Sequence, residues 1–120
     1  MANIAIFASG NGSNFEEIAK EFIKDNKNSI KILIYDRKKA FVTQRSEKYG
    51  INSKYINYFQ LGKETAEKEI IETLKQNDVD VIFLAGFMRI LSGDFIDKVG
   101  VPIINIHPSL LPKYKGENGI

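Results

Sequence analysis

The sequence contains no cysteine, which excludes disulfides and thiolate chemistry and fits a reducing compartment. Histidine is almost as scarce: His107 stands alone, so a His-rich metal site is excluded. No apolar run approaches the ~20 residues of a membrane span. The first one, Ile4 to Ala8, stops at Ser9-Gly10, and the N-terminus carries no signal-peptide pattern. A cytoplasmic protein without a membrane partner is expected. Charge of one sign is also missing, since 17 basic and 15 acidic residues leave a net charge of +2. With the two signs interspersed, no nucleic-acid partner is expected. Internal repeats and low-complexity tracts are absent.

What remains is the composition of one small globular domain spanning residues 1–120, with 43% apolar and 27% charged residues. Short apolar runs alternate with helical patterns. Ile4 to Ala8 reads as a buried strand. Phe15, Ile18, Ala19, Phe22 and Ile23 then fall on one helical face, with Ser13 and Glu16 spaced as a capping box. Ile30 to Tyr35 is a second strand. Lys39 to Tyr49 is helix-compatible, with Gly50 as its C′ residue. A short strand near Lys54 to Ile56 precedes a charged helix, Lys63 to Gln76, that buries Ala66, Ile70, Ile71 and Leu74. Val79 to Ala85 is the fourth strand, Ser92 to Lys98 a short helix and Val101 to Ile106 the fifth strand. This alternation predicts an α/β fold, a Rossmann-like, doubly wound and mainly parallel sheet. In such sheets ligands sit beyond the carboxyl ends of the strands.

Three stretches occupy those ends. Gly10-Asn11-Gly12-Ser13-Asn14 lies between the first strand and a helix, where unpaired N–H groups and the helix dipole suit a phosphate. It is not a Walker A loop, because no Gly-Lys-Ser/Thr follows, nor a dinucleotide fingerprint, because Phe15 stands where a third glycine would be. A monophosphate is one reading, and a glycine-rich turn with a serine cap is the other. Ala85-Gly86-Phe87-Met88-Arg89-Ile90-Leu91 could line a pocket for a flat heterocycle. Taken alone, it reads more simply as a loop plugging the core with Phe87 and Leu91. In the third stretch, Asn105 and His107 lie two residues apart at a strand end and share a face. An amide donor beside an imidazole suits acyl-type transfer, Asn105 stabilising an oxyanion and His107 moving a proton. A packed or surface histidine is the competing reading.

Together these stretches resemble the glycinamide ribonucleotide formyltransferase family, in order and spacing, from Ile4 to Gly116. Ser9 to Asn14 is similar to the family's phosphate loop, Leu84 to Leu91 to its folate segment, and Asn105 to Tyr114 to its active-site strand end. The resemblance implies transfer of a formyl group from 10-formyltetrahydrofolate, as co-substrate, to the amine of 5-phosphoribosylglycinamide in purine synthesis. Gly10, Asn11, Gly12, Ser13 and Asn14 would hold phosphate and ribose; Met88, Arg89, Ile90 and Leu91 would line the pteridine pocket, with Lys63 and Asn105 also touching the folate. Asn105 would polarise the formyl carbonyl, and His107 would act as general acid or, as imidazolium, stabilise the tetrahedral intermediate. The substrate's own amine attacks, so neither an enzyme nucleophile nor a metal is required.

The chain departs from the family pattern at Lys63, where an arginine can stand, and at Asp36-Arg37, where a Ser/Asn-type turn is usual. The family also continues past Gly116 to an aspartate that pairs with the catalytic histidine. The C-terminal part of the domain is therefore expected to be missing here, and the chain by itself to be a weak catalyst with an open sheet edge suited to homodimer formation. Leu111-Pro112 is a candidate cis bond. The rival readings are a formyltetrahydrofolate deformylase, a methionyl-tRNA formyltransferase and a non-catalytic mononucleotide-binding module.

Overall fold

The computed structural model describes residues 2–10, 12–25, 27–38 and 42–106. They form five strands and five helices in the order β1 (Asn3–Ala8), α1 (Ser13–Asp25), β2 (Ser29–Tyr35), α2 (Val42–Lys48), β3 (Ser53–Tyr55), α3 (Tyr58–Leu61), α4 (Lys63–Gln76), β4 (Val81–Ala85), α5 (Gly93–Val99) and β5 (Ile103–Asn105). The strands make one sheet in the order β3-β2-β1-β4-β5, and every pairing is parallel. The expected parallel α/β architecture is therefore present.

Alternation along β1 shows why both faces must be covered. Ile4, Ile6 and Ala8 point into a core shared with Phe15, Ile18 and Ala19 of α1 and Val42 of α2. Ala5 and Phe7 point the other way, into a core shared with Ala66, Ile70 and Leu74 of α4 and Phe95 of α5. A strand with no polar face can be stable only between two helical layers.

Local chemistry sets the element ends. After α2 the N–H of Gly50 bonds the carbonyl of Glu47 at 3.0 Å and that of Ile51 bonds Ser46 at 2.9 Å, with Gly50 at φ +69°. This is a Schellman closure around the expected glycine. Ser92 proves to be the N-cap of α5, its Oγ accepting from the Phe95 N–H at 3.0 Å, so the helix starts one residue later than expected. β5 is shorter than Val101 to Ile106: it begins after Pro102, which has no N–H to donate, and it ends at Asn105, although the Ile106 N–H still bonds the Leu84 carbonyl at 3.0 Å. The turn α3 was not anticipated; the Asn57 side chain caps it by accepting from the Gln60 N–H. Ile71 is only partly buried, outside the fully buried stripe of α4.

The strand order places the topological switch between β1 and β4. From β1 the chain winds towards β3, and from β4 it winds towards β5. The loops after these neighbouring strands diverge and leave a crevice at their carboxyl ends. Among the described residues β5 is an edge strand, with Ile104 exposed.

Candidate functional site

The β1–α1 loop forms one wall of the crevice. Gly10 and Gly12 have φ of +74° and +82°, a region where a side chain is strained. Gly12 carries a second constraint, since a Cβ there would lie 2.5 Å from Val42 Cγ2 and 2.7 Å from Val42 Cα. Glycine at this position thus lets α2 pack directly beneath the loop. The Gly12 carbonyl accepts from the Glu16 N–H at 2.9 Å, so the loop runs directly into the helix. Asn14 reaches across the crevice, its Nδ2 being 3.1 Å from where a Cβ on Gly86 would stand. Asn11 and the side chain of Ser13 lie outside the described residues.

Glu16 has a different role from the one its spacing implied. Its carboxylate is turned towards α2, where it accepts from Arg45, from Lys48 Nζ at 3.1 Å and from Tyr49 Oη at 2.9 Å. Hydrogen bonds from Tyr49, Lys48 and Arg45 hold this carboxyl down at about 2. Burial and the Glu16 partner push the Tyr49 phenol up, and Glu16 also raises Lys48. An anion in the first turn of α1 would repel a bound phosphate. Two cations on one carboxylate offset that repulsion.

The β4–α5 segment forms the opposite wall and is fastened at three points. The Met88 N–H donates to Ser9 Oγ at 3.1 Å. Arg89 Nε donates to Asp36 Oδ2 at 2.9 Å, and its guanidinium lies 4.6 Å from the centre of the Tyr58 ring. Further on, Glu67 of α4 accepts from both the N–H and the Oγ of Ser92, at 2.9 and 2.6 Å. Phe87 meets Phe7 edge-on at 5.4 Å. The plug and the pocket coexist: Phe87 and Leu91 pack on the core, while Arg89, Ile90 and Leu91 line a cleft of about 520 Å³. Leu84, Ile96 and the run Val101-Pro102-Ile103 complete the described walls. Met88 is exposed and lies outside those walls.

Asn105 sits at the carboxyl end of β5, paired with Leu84, on an exposed stretch beside the cleft. His107 and the Leu111–Pro112 bond lie outside the described residues. Lys63 is exposed in the first turn of α4, and no described contact joins it to the crevice. The structure thus gathers Gly10, Gly12, Asn14, Arg89, Ile90, Leu91 and Asn105 at one end of the sheet. Among the described residues no group of three or more His, Cys, Asp or Glu side chains is arranged to hold a metal, and no helix is long and apolar enough to cross a membrane.

Sequence reasoning missed the supporting residues. Asp36 stood out only as a departure from a family pattern, yet its carboxylate is buried and bonds both walls. Glu67 could have been found, as an acid on the buried stripe of α4 beside Ala66 and Ile70. Ser9 was legible only as the start of the glycine loop, and Tyr58 not at all, because their partners Asp36, Met88 and Arg89 follow other strands.

Residues 2–120 match the family model described as formyl transferase. The chain is 39% identical over 122 residues to the phosphoribosylglycinamide formyltransferase of Bacillus subtilis (strain 168), covering all of this chain and 63% of that protein. To the human trifunctional purine biosynthetic protein adenosine-3 it is 38% identical over 120 residues, 98% of this chain and 12% of that one. Among solved structures, glycinamide ribonucleotide transformylase 1 from Geobacillus kaustophilus superposes with a TM-score of 0.83 at 32% identity, over 98% of this chain and 64% of that chain. The Symbiobacterium toebii transformylase gives 0.82 at 28% identity, over 95% and 55%. The chain therefore spans less than two thirds of the length of each of these relatives.

Proposed function

The chain belongs to the formyl transferase family, and from that premise we propose that this protein moves a formyl group from 10-formyltetrahydrofolate to the amine of 5-phosphoribosylglycinamide in purine synthesis. The observation that carries the reading is the pairing, across the switch between β1 and β4, of a glycine loop at a helix start with an apolar cleft. The loop suits a phosphomonoester, because the first N–H groups of α1 have no helical partner and Glu16 is neutralised. The cleft, at about 520 Å³, is of the size and apolar character that a flat heterocycle requires. Relatives named as phosphoribosylglycinamide formyltransferases support this choice of substrates.

In this reading Gly10, Asn11, Gly12, Ser13 and Asn14 hold phosphate and ribose. Met88, Arg89, Ile90 and Leu91, with Lys63 and Asn105, hold the folate. The folate supplies the formyl carbon, and the substrate amine attacks it. Asn105, at the strand end beside the cleft, donates its amide N–H to the formyl oxygen as negative charge gathers there. His107 moves the proton that the amine must lose and the departing folate nitrogen must gain.

The test is turnover by the full-length protein, followed as loss of the formyl group from the folate with and without phosphoribosylglycinamide. Amine-dependent consumption is expected. Equal consumption without the amine would make the protein a hydrolase, and no consumption with tight phosphoribosyl binding would make it a binding module.

A further inference from the structure

We propose that Asp36 is the positioning residue of the cleft, a carboxylate at the end of β2 that sets the Met88–Arg89 wall against the β1 loop; its substrate assignment rests on the formyl-transfer reading. The Asp36 side chain is only 3% exposed, and its two oxygens are engaged by donors from the segments that follow β1 and β4. Oδ1 accepts from Ser9 Oγ at 2.6 Å, and Oδ2 accepts from Arg89 Nε at 2.9 Å. Ser9 Oγ, having donated its proton to Asp36, is left as an acceptor for the Met88 N–H at 3.1 Å. One buried charge therefore fixes a hydroxyl rotor, a backbone N–H and a guanidinium together. Arg89 is held on its other side by the Tyr58 ring at 4.6 Å. Arg89 and Ile90 line the cleft, so its shape depends on this anchor.

Asp36 reaches the β1–α1 loop only at Ser9, and that loop has a second support through Glu16 and α2, whereas the β4–α5 wall takes both the Arg89 bond and, through Ser9, the Met88 bond. The predicted consequence is selective. An Asp36→Asn change keeps the volume but presents a donor on one side, so it cannot accept from Ser9 and Arg89 together. In the full-length protein the KM for 10-formyltetrahydrofolate should rise about 10-fold, the scale of one lost charge-assisted hydrogen bond. The KM for 5-phosphoribosylglycinamide should stay within about 2-fold, since its loop loses one contact at Ser9 and keeps its support through Glu16 and α2. Without substrates, tryptic cleavage after Arg89 should quicken by roughly 5-fold or more as the segment loosens.

Ser9→Ala serves as the second, milder variant, removing the Met88 acceptor while leaving the Arg89 pair, and should shift the same KM by a smaller factor. If both KM values rise together in either variant, Asp36 merely supports the sheet and the proposal fails. Unchanged KM values and an unchanged cleavage rate would overturn it as well. If the wild-type protein transfers no formyl group, the functional reading falls, while the cleavage ratio still decides whether Asp36 positions this wall.

Discussion

Replacing Gly12 by alanine separates the two constraints on the β1–α1 loop, with Gly10→Ala as the internal control. Both glycines have positive φ, +74° and +82°, so each alanine incurs about 1–2 kcal/mol of backbone strain. Each is offset by about 0.4–1 kcal/mol through restriction of the unfolded chain. The surroundings then separate them. Nothing lies within 4 Å of a Cβ on Gly10, whereas a Cβ on Gly12 meets Val42 Cα at 2.7 Å, and ordinary contact begins near 3.4 Å. Val42 is fully buried and opens α2, so relief requires the helix to move by about 0.7 Å, not a rotamer change. Overpacking of this kind costs about 1–3 kcal/mol. Gly10→Ala should therefore cost about 1 kcal/mol or less, and Gly12→Ala about 2–4 kcal/mol, a large part of the 5–15 kcal/mol that usually holds a domain together. Urea unfolding followed by far-ultraviolet circular dichroism measures both. Losses equal within about 0.5 kcal/mol would show that α2 yields freely and that the close approach has no energetic weight.

Three further perturbations test other parts of the account. The Glu16 carboxyl is held at about 2 against an ordinary 4.5. Its folded value being the lower one, the stability it contributes is present above about 4.5 and disappears as pH falls towards 2. Glu16→Gln should flatten that limb of the stability curve, and parallel curves for variant and parent would refute the clamp. In the full-length protein Asn105→Ala or His107→Ala should lower kcat by about 100- to 1,000-fold with phosphoribosylglycinamide binding nearly unchanged. Isothermal titration beside turnover checks this, and collapse of binding with normal kcat would assign them to binding instead. Tyr58 Oη is buried with no partner among the described residues. Burial first, then Glu67 and Asp36, pushes the phenol up to about 12. Tyr58→Phe should therefore leave stability within about 1 kcal/mol or raise it, and a loss above about 2 kcal/mol would reveal a hydrogen bond to that hydroxyl.

The sequence by itself determined the layers, the strand order along the chain and which stretches follow the strand ends. Strands such as Ile4 to Ala8 and Val81 to Ala85 have no polar face, and only a sheet covered twice can bury them. It also announced the local punctuation at Gly50 and placed the start of α5 within one residue of its Ser92 cap, because caps are made by residues a few positions apart. Only the tertiary structure decided what Glu16 and Asp36 do. The spacing Ser13-x-x-Glu16 is satisfied equally by a capping box and by a clamp to α2, and Arg45, 29 residues later, decides between them. Asp36 meets Ser9 27 residues before it and Arg89 53 residues after it. A periodicity read in a window of a dozen residues has no access to such pairs, since parallel neighbours are brought together by crossovers far longer than the window. The residues proposed to touch ligands follow the strand ends and are legible there. Those that hold them in place come from neighbouring strands, and their partners become visible only when the sheet is assembled.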